Sequence, residues 1–183
     1  MKTILLSATA ALLFGTAPAT ASVITLGSTY AESCFRAAEA RDPRERAMDA
    51  CDNALNGEAL TPGDIVGTHV NRGILFMVAG DFRRANRDFD EALYLNPKEP
   101  EAWLNKAIAQ LKGGNSRAAL ELVERSMALG TQKLALAYFV RGVAHEDTGN
   151  IRGAYADLRK AAALAPQWKE PALELTRFKV RGR

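Results

Sequence analysis

One short pattern occurs three times in this sequence at nearly constant spacing. An aromatic or histidine residue stands four positions before a small residue, and that small residue is Gly73, then Ala107, then Gly142. The steps between them are 34 and 35 residues, and later landmarks keep the same period at Ala85, Ala119 and Ala154. A fixed period of this length indicates stacked copies of one supersecondary unit. Function is therefore expected on the surface of a stack.

Large and small side chains follow a constant order within each copy. Copy one has Phe76, Ala85, Phe89, Ala92 and Pro97, and copy three has Tyr138, Ala154, Leu158, Ala161 and Pro166. This order resembles the tetratricopeptide repeat, a pair of antiparallel helices. Copy two departs from it with Gln110 at an aromatic position and Thr131 at the proline position. The resemblance implies an all-α, right-handed α-solenoid of helix-turn-helix repeats with a C-terminal capping helix.

The resemblance also divides the chain. Repeat one is assigned to residues 66–99, repeat two to residues 100–134 and repeat three to residues 135–168, with the capping helix and a basic tail in residues 169–183. Residues 22–60 hold a divergent, earlier helical hairpin with Ala47 and Ala54 at its small positions. A glycine followed by Asp or Asn, as at Gly80, Gly114 and Gly149, predicts the end of one helix and the cap of the next. The small residues Gly73, Ala107 and Gly142 are expected to face Ala85, Ala119 and Ala154 where the paired helices cross.

Opposite charges recur at equivalent positions of copies one and three. Arg72 and Asp88 are 16 residues apart, as are Arg141 and Asp157. This coincidence predicts an ion pair across each of these two hairpins. Copy two has Lys106 and Leu122 at the same positions and loses the pair. A structural role, worth about 1 kcal/mol or less where exposed, is preferred to a catalytic one.

The start of the chain has the composition of a secretory signal peptide. Lys2 supplies a positive charge, an apolar run extends from Ile4 to Phe14, and small residues end at Ala21. These features predict a signal peptide over residues 1–21, cleavage after Ala21, and a periplasmic or secreted protein. The apolar run is short for a membrane span, so no stable membrane insertion is expected after cleavage. A retained signal that acts as an anchor is the alternative.

Export changes how the two cysteines are interpreted. When the divergent hairpin is aligned with the repeats, Cys34 takes the place of Arg72 and Cys51 falls beside the place of Asp88. In an oxidising compartment, this arrangement predicts a disulfide between them. Two buried free thiols are the alternative, and a redox-active pair is disfavoured because no Cys-x-x-Cys motif is present.

Catalytic chemistry has little support in the sequence. The two histidines are not accompanied by further ligands at metal-binding spacing, and no phosphate loop or nucleophile motif occurs. We therefore predict no enzyme activity, no metal and no cofactor. The net charge of +3 owes much to Arg177, Lys179, Arg181 and Arg183 near the C-terminus. A short basic tail of this kind is either solvated or binds an acidic partner or anionic lipid head groups. Nucleic acid is not expected to bind.

A concave groove remains as the candidate site. In this family the first helix of each pair lines it, which implies Val70, Asn71, Ile74, Met77, Leu104, Asn105, Ile108, Leu111, Phe139, Val143 and Glu146 as groove residues. Family members that clamp a terminal carboxylate use lysine and arginine at neighbouring positions, which this sequence lacks. An apolar groove for an amphipathic helix or an extended apolar peptide is favoured instead. Alternatively, these residues are core, or the groove is filled by residues 22–26 or by a second copy of the chain.

These observations predict an exported adaptor that binds a protein or peptide partner through its concave face. The alternative is a structural or assembly subunit that self-associates, as a homo-oligomer, or fills its own groove. Burial of Ile74, Ile108 and Phe139 by the chain itself or by a second copy of the chain supports the alternative.

Overall fold

The fold is a succession of helices joined by short turns. The computed structural model describes residues 29–178, and within that range it contains no β-strand. In chain order the helices are α1 (Thr29–Ala40), α2 (Glu45–Gly57), α3 (Pro62–Val78), α4 (Phe82–Leu95), α5 (Pro100–Lys112), α6 (Ser116–Ala128), α7 (Leu134–Asp147), α8 (Ile151–Leu164) and α9 (Glu170–Leu175). The expected all-α class is confirmed.

The helices pack as consecutive pairs. Helix α1 packs on α2, α3 on α4, α5 on α6 and α7 on α8, and each pair also contacts the next one along the chain. Helix α9 packs on α8 at the end of the stack. This arrangement of stacked helical pairs with a short terminal helix confirms the solenoid that the resemblance implies.

Local sequence signals account for the helix ends. Thr61 and Asp64 form a reciprocal capping box at the start of α3, and Pro62 occupies its first turn. Gly80, Gly114 and Gly149 adopt φ angles of +81°, +83° and +86°, which glycine tolerates without strain. Asp81 and Asn150 cap the following helices, whereas Asn115 makes no capping bond and donates to Gln110 instead.

The crossing of paired helices depends on the size of the opposed side chains. A Cβ atom at Gly73 would lie 2.6 Å from the ring of Phe89, so this ring, rather than Ala85, is the nearest neighbour of that glycine. A Cβ atom at Gly142 would lie 3.1 Å from Leu158 and 3.3 Å from the carbonyl oxygen of Ala154. The small residues therefore accommodate large buried side chains of the second helix as well as its backbone.

Copy two replaces two of the usual repeat residues by polar contacts. The Gln110 amide donates to Asn86 at 2.9 Å and accepts from Asn115 at 3.0 Å, which links the first two repeats. The Thr131 hydroxyl donates to the Glu101 carboxylate at 3.1 Å, and the backbone N–H of Gln132 donates to the same oxygen at 3.0 Å. These hydrogen bonds occur at the position that Phe76 has in copy one and at the position that proline has in copies one and three.

The C-terminal end of the stack is closed by aromatic packing. The Trp168 ring lies 4.8 Å from the Phe139 ring, and Tyr155 lies 5.7 Å from Phe178. The predicted signal peptide (1–21), the segment 22–26 and residues 179–183 of the basic tail lie outside the described residues. Within residues 29–178, no helix combines the length and hydropathy that crossing a membrane requires.

Candidate protein-interaction surface

The predicted ion pair of copy one is part of a larger cluster. The Arg72 guanidinium donates to both oxygens of Asp88, at 2.9 and 2.6 Å, and also to Asp52 at 2.7 Å. His69 Nδ1 lies 3.1 Å from Asp88 Oδ1. Burial raises the pKa of Asp88, but the hydrogen bonds from Arg72 and His69 outweigh it and hold this pKa below its usual value. The cluster ties α2, α3 and α4 together.

The equivalent positions of the other copies behave differently. In copy three, Arg141 donates to both oxygens of Asp157 at 2.7 and 2.8 Å, and hydrogen bonding to Asp157 raises the pKa of Arg141. In copy two, Lys106 pairs with Asp90 on α4 of the preceding repeat. All these pairs join helices. Arg72 and Asp88 also line a shallow concavity with Phe76, Arg84, Arg87 and Glu91.

The divergent hairpin carries a covalent link. Cys34 of α1 and Cys51 of α2 form a disulfide, as the sequence predicts, and both side chains are fully buried. The Glu58 carboxylate, just after α2, accepts hydrogen bonds from the backbone amides of Tyr30 and Ala31 at 3.1 and 3.2 Å. The two ends of this hairpin are thereby held together.

The predicted groove residues are not an open surface. Ten of them have exposed fractions of 6% or less: Val70, Asn71, Ile74, Met77, Leu104, Asn105, Ile108, Leu111, Phe139 and Val143. Apolar side chains in this number are covered in the folded chain rather than left in water. The assignment of these residues to a partner-binding groove stays a prediction.

The two groove asparagines differ in their hydrogen bonds. Asn105 Nδ2 donates to the Glu101 carbonyl oxygen one turn earlier, at 2.9 Å. Asn71 is fully buried, and neither its Oδ1 nor its Nδ2 has a hydrogen-bond partner. A buried amide without partners costs about 1–3 kcal/mol of stability. Asn71 is thus a buried amide of this face whose donors and acceptor are both unused.

In copy three the cover of the groove positions is visible. Trp168 packs on Phe139, and Arg177 makes an ion pair with Glu146 at 2.6 Å. Both covering residues belong to the segment around α9. The sequence identified a capping helix here, but not that its flanking residues reach two of the predicted groove positions.

One further concavity lies on the outside of the first hairpin. A cleft of about 500 Å³ between α1 and α2 is lined by residues that include Tyr30, Arg36, Asp42, Arg44 and Asp49. Its charges are largely neutralised locally, since Arg44 pairs with Asp42 and Arg36 with Glu32. Among residues 29–178, no group of three or more His, Cys, Asp or Glu side chains is arranged to hold a metal ion.

Known proteins share this repeat. Two family models described as tetratricopeptide repeat match residues 77–137 and 135–167. Human tetratricopeptide repeat protein 6 is 28% identical over 103 residues, which cover 56% of this chain and 19% of that protein. Human tetratricopeptide repeat protein 13 is 29% identical over 105 residues, which cover 57% of this chain and 12% of that protein. The chain thus spans less than a fifth of the length of these relatives.

Solved structures share the fold. The structure described as "MamA 41-end from Desulfovibrio magneticus RS-1" has a TM-score of 0.64 and 25% identity, and the match covers 80% of this chain and 79% of that one. A MamA RS-1 double mutant has a TM-score of 0.63 and 24% identity over 81% of this chain and 82% of that one. Family and fold support a role in protein-protein interaction or assembly. Residues 77–167 of the chain thus consist of tetratricopeptide repeats.

Proposed function

We propose that this chain is an exported adaptor that holds an extended polypeptide segment in the groove along α3, α5 and α7. The observation that carries the proposal is Asn71, a fully buried amide without a partner among apolar side chains on this face. A side-chain amide has two donors and an acceptor, the set that an extended peptide backbone complements. The groove therefore suits a polypeptide better than a small polar metabolite.

Export belongs to the same proposal. The Cys34–Cys51 disulfide supports it, because disulfides persist mainly in oxidising compartments. Mass spectrometry of the protein isolated from the periplasm or the medium tests this part. We expect a chain that begins at Ser22 and retains the disulfide. An intact residue 1–21 segment, or free thiols at both positions, would contradict it.

A second candidate function is favoured by a specific observation. Ile74, Ile108 and Phe139 are buried within a single chain, which supports an assembly subunit whose groove is filled by its own chain. Such a subunit would contact other proteins, or further copies of itself, through outer faces of the stack. The proposal of an adaptor then requires that a partner displace the internal occupant.

Affinity capture with matched variants tests the adaptor. The tagged protein is compared with the double variant Asn71→Ala, Asn105→Ala and with Asn53→Ala, which changes an exposed asparagine of α2. We expect the intact protein and Asn53→Ala to retain the same partners and the double variant to lose them. Equal capture by all three forms would show that the groove is not the binding site. Light scattering of the purified protein would then measure whether it self-associates.

A further inference from the structure

We infer that the basic outer face of α8 binds the acidic outer face of α2 in a second copy of this chain. The contact uses the second helix of each pair, whereas the groove along α3, α5 and α7 uses the first. It goes beyond the adaptor and rests on the second candidate function, the assembly subunit, for which it names a surface and a partner. Its basis is the distribution of charge along the outside of the stack.

The second helix of each repeat has an outer stripe of four exposed positions. In copy one the outer stripe consists of Arg83, Arg87, Asp90 and Glu91. These positions lie within about 100° of one another around α4, on the side opposite the buried Ala85 and Ala92. In copy two the same positions hold Arg117, Glu121, Glu124 and Arg125, which are also exposed. Basic and acidic residues are equal in number in both stripes, so neither stripe has a net charge.

The outer stripe of α8 differs, because its charges are all basic. Its four positions hold Arg152, Ala156, Arg159 and Lys160, which are all exposed. The single acid of this helix, Asp157, is buried in its ion pair with Arg141 and lies outside the stripe. The stripe therefore presents three basic side chains and no acidic one.

The outer stripe of α2 has the opposite charge. Cys51 of α2 is buried at the place of Phe89 in α4, which aligns the two helices. With this alignment the stripe of α2 holds Glu45, Asp49, Asp52 and Asn53, all of which are exposed. Arg46 borders the stripe, and α2 as a whole still has three acidic side chains and one basic. Asp52 is already paired with Arg72 of α3, so Glu45 and Asp49 are the acids left for a partner.

The two charged stripes cannot meet within one molecule. Helix α2 packs on α1 and α3, and α8 packs on α7 and α9. The pairs α3–α4 and α5–α6 stand between them and keep them apart. The opposite charges are therefore solvated or are satisfied by another molecule. A second copy of the chain supplies, at equivalent positions of the same helical frame, the charge that each stripe lacks.

The spacing of the charges is complementary as well. Glu45 and Asp52 are seven residues apart, and so are Arg152 and Arg159, which corresponds to about 10.5 Å along a helix in both cases. When α2 and α8 of two copies lie side by side, Glu45 can face one arginine while Asp52 faces the other. A shallow concavity on α8, bordered by Arg159, Lys160 and two exposed alanines, gives acidic side chains room to enter.

A contact of this kind is weak and depends on salt. Exposed ion pairs contribute little individually, and their attraction is screened over about 10 Å at 0.1 M ionic strength. We expect reversible self-association in sedimentation equilibrium of the purified protein. Its dissociation constant should be at least tenfold higher at about 300 mM salt than at about 20 mM salt.

Charge reversal followed by re-pairing tests the contact. The α8 variant Arg152→Glu, Arg159→Glu, Lys160→Glu and the α2 variant Glu45→Lys, Asp49→Lys should each self-associate at least tenfold more weakly than the intact protein. An equimolar mixture of the two variants should regain the association, because the acidic α8 of one variant then meets the basic α2 of the other. All five positions are exposed, so both variants should keep the fold, which circular dichroism checks.

A charge-neutral exchange on α6 is the matched control. Glu121→Lys, Arg125→Glu swaps two exposed charges of the copy-two stripe without changing their sum, and we expect the association to match that of the intact protein. Loss of association in both reversed variants without recovery in their mixture would overturn the inference. An intact protein that is monomeric at about 20 mM salt would overturn it as well.

Two further results separate this contact from other roles of the same helices. Vesicles of phosphatidylglycerol and phosphatidylcholine that bind the intact protein but not the α8 variant, without self-association, would mean that α8 faces an anionic lipid surface, which overturns the inference. Self-association that both reversed variants retain would leave the assembly subunit standing and overturn this contact. Re-paired association in a protein that captures no partner through its groove would support the contact and contradict the adaptor.

Discussion

At each helix crossing, the size of the small residue on the first helix is matched to the size of the side chain that opposes it on the second helix. Gly73 is opposed by Phe89 and Gly142 by Leu158, each 16 residues later. At the same spacing in copy two, Ala107 corresponds to Val123. Copy two therefore has alanine instead of glycine on the first helix, and the side chain at the opposing position of its second helix, valine, is smaller than phenylalanine or leucine. The pattern is a conservation of volume at the crossing, as expected for interiors packed like organic crystals.

Gly73→Ala tests this volume match. Its Cβ atom would meet the fully buried Phe89 ring at 2.6 Å, and overpacking of this kind costs about 1–3 kcal/mol. We expect the free energy of unfolding, measured by urea denaturation, to fall by that amount. In the double variant with Phe89→Val the two effects should be less than additive, because the smaller side chain restores the pairing of copy two. Strict additivity would contradict the volume match.

Asp88 sets a pH dependence in copy one. Its pKa is lower in the folded chain than the unfolded value of about 3.9, because hydrogen bonds from Arg72 and His69 outweigh burial. Its contribution to stability is therefore present above about pH 4 and is lost as the pH falls through the folded pKa. Asp88→Asn should lower the free energy of unfolding at pH 7 by about 2–3 kcal/mol, since it leaves Arg72 half-buried with Asp52 alone.

Denaturation curves at pH 7 and pH 3 measure this effect. The gap between the intact protein and Asp88→Asn should narrow at pH 3, because this pH lies below the pKa of about 3.9 that an aspartate has in the unfolded chain. Arg117→Ala on the outside of α6 serves as an exposed charge control, and we expect it to have little effect at either pH. A gap that widens on acidification would show that the Asp88 carboxylate does not stabilise the fold.

At the scale of elements, the links between helices differ among the repeats. The first hairpin has the Cys34–Cys51 disulfide, and copies one and three have arginine-aspartate pairs across their hairpins. Copy two instead has Lys106–Asp90, which joins it to copy one, and a hydrogen bond from Thr131, in the turn after α6, to Glu101 of α5. These links join elements that are short by themselves. Helices of this length are marginal alone in water, so tertiary contacts supply most of their stability.

Reduction of the disulfide should destabilise mainly the first hairpin, formed by α1 and α2. The bond closes a loop between residues 17 apart, and the loop-entropy model assigns about 3 kcal/mol to it. We expect reductant, or the double variant Cys34→Ala, Cys51→Ala, to lower the free energy of unfolding by about that amount. Hydrogen exchange should show faster exchange in α1 and α2 than in α7. Unchanged stability after complete reduction would contradict this expectation.

At the scale of the whole molecule, the main contacts of each helical pair are with the pairs next to it along the chain. Each pair packs on the next, and α9 contacts α8 at one end. Stability in such an arrangement is close to a sum of repeat and interface contributions. A destabilising substitution at one end of the stack should therefore unfold that end first.

Trp168→Ala tests this local behaviour. The side chain is buried and packs on Phe139, and loss of a large buried aromatic costs about 3–5 kcal/mol. We expect hydrogen exchange to accelerate in α7, α8 and α9 while α3 and α4 keep their protection. Gln167→Ala, at an exposed neighbouring position, should leave all helices protected. Uniform acceleration along the chain would indicate a single cooperative unit instead.

Much of the fold could be predicted because equivalent positions in the three copies show repeatedly which kind of residue the packing requires. Gly73, Arg72 and Asp88 have counterparts one or two periods away, so their roles as crossing and pairing residues were visible in the sequence. Gln110 and Thr131 appeared only as departures from the pattern. Their partners Asn86, Asn115 and Glu101 lie elsewhere in the chain, and a repeat pattern contains no information on such unique contacts.

The sequence by itself determined the helical pairs, their order and the residues that join each pair, because these depend on local periodicity and on contacts within one repeat unit. Only the tertiary structure decided whether the first-helix face was open. Val70, Asn71, Ile74 and their counterparts have the same identities in an empty groove as in a covered one. Their exposure depends on how other helices pack around them, and that is decided by contacts between repeat units rather than by the identity of a residue.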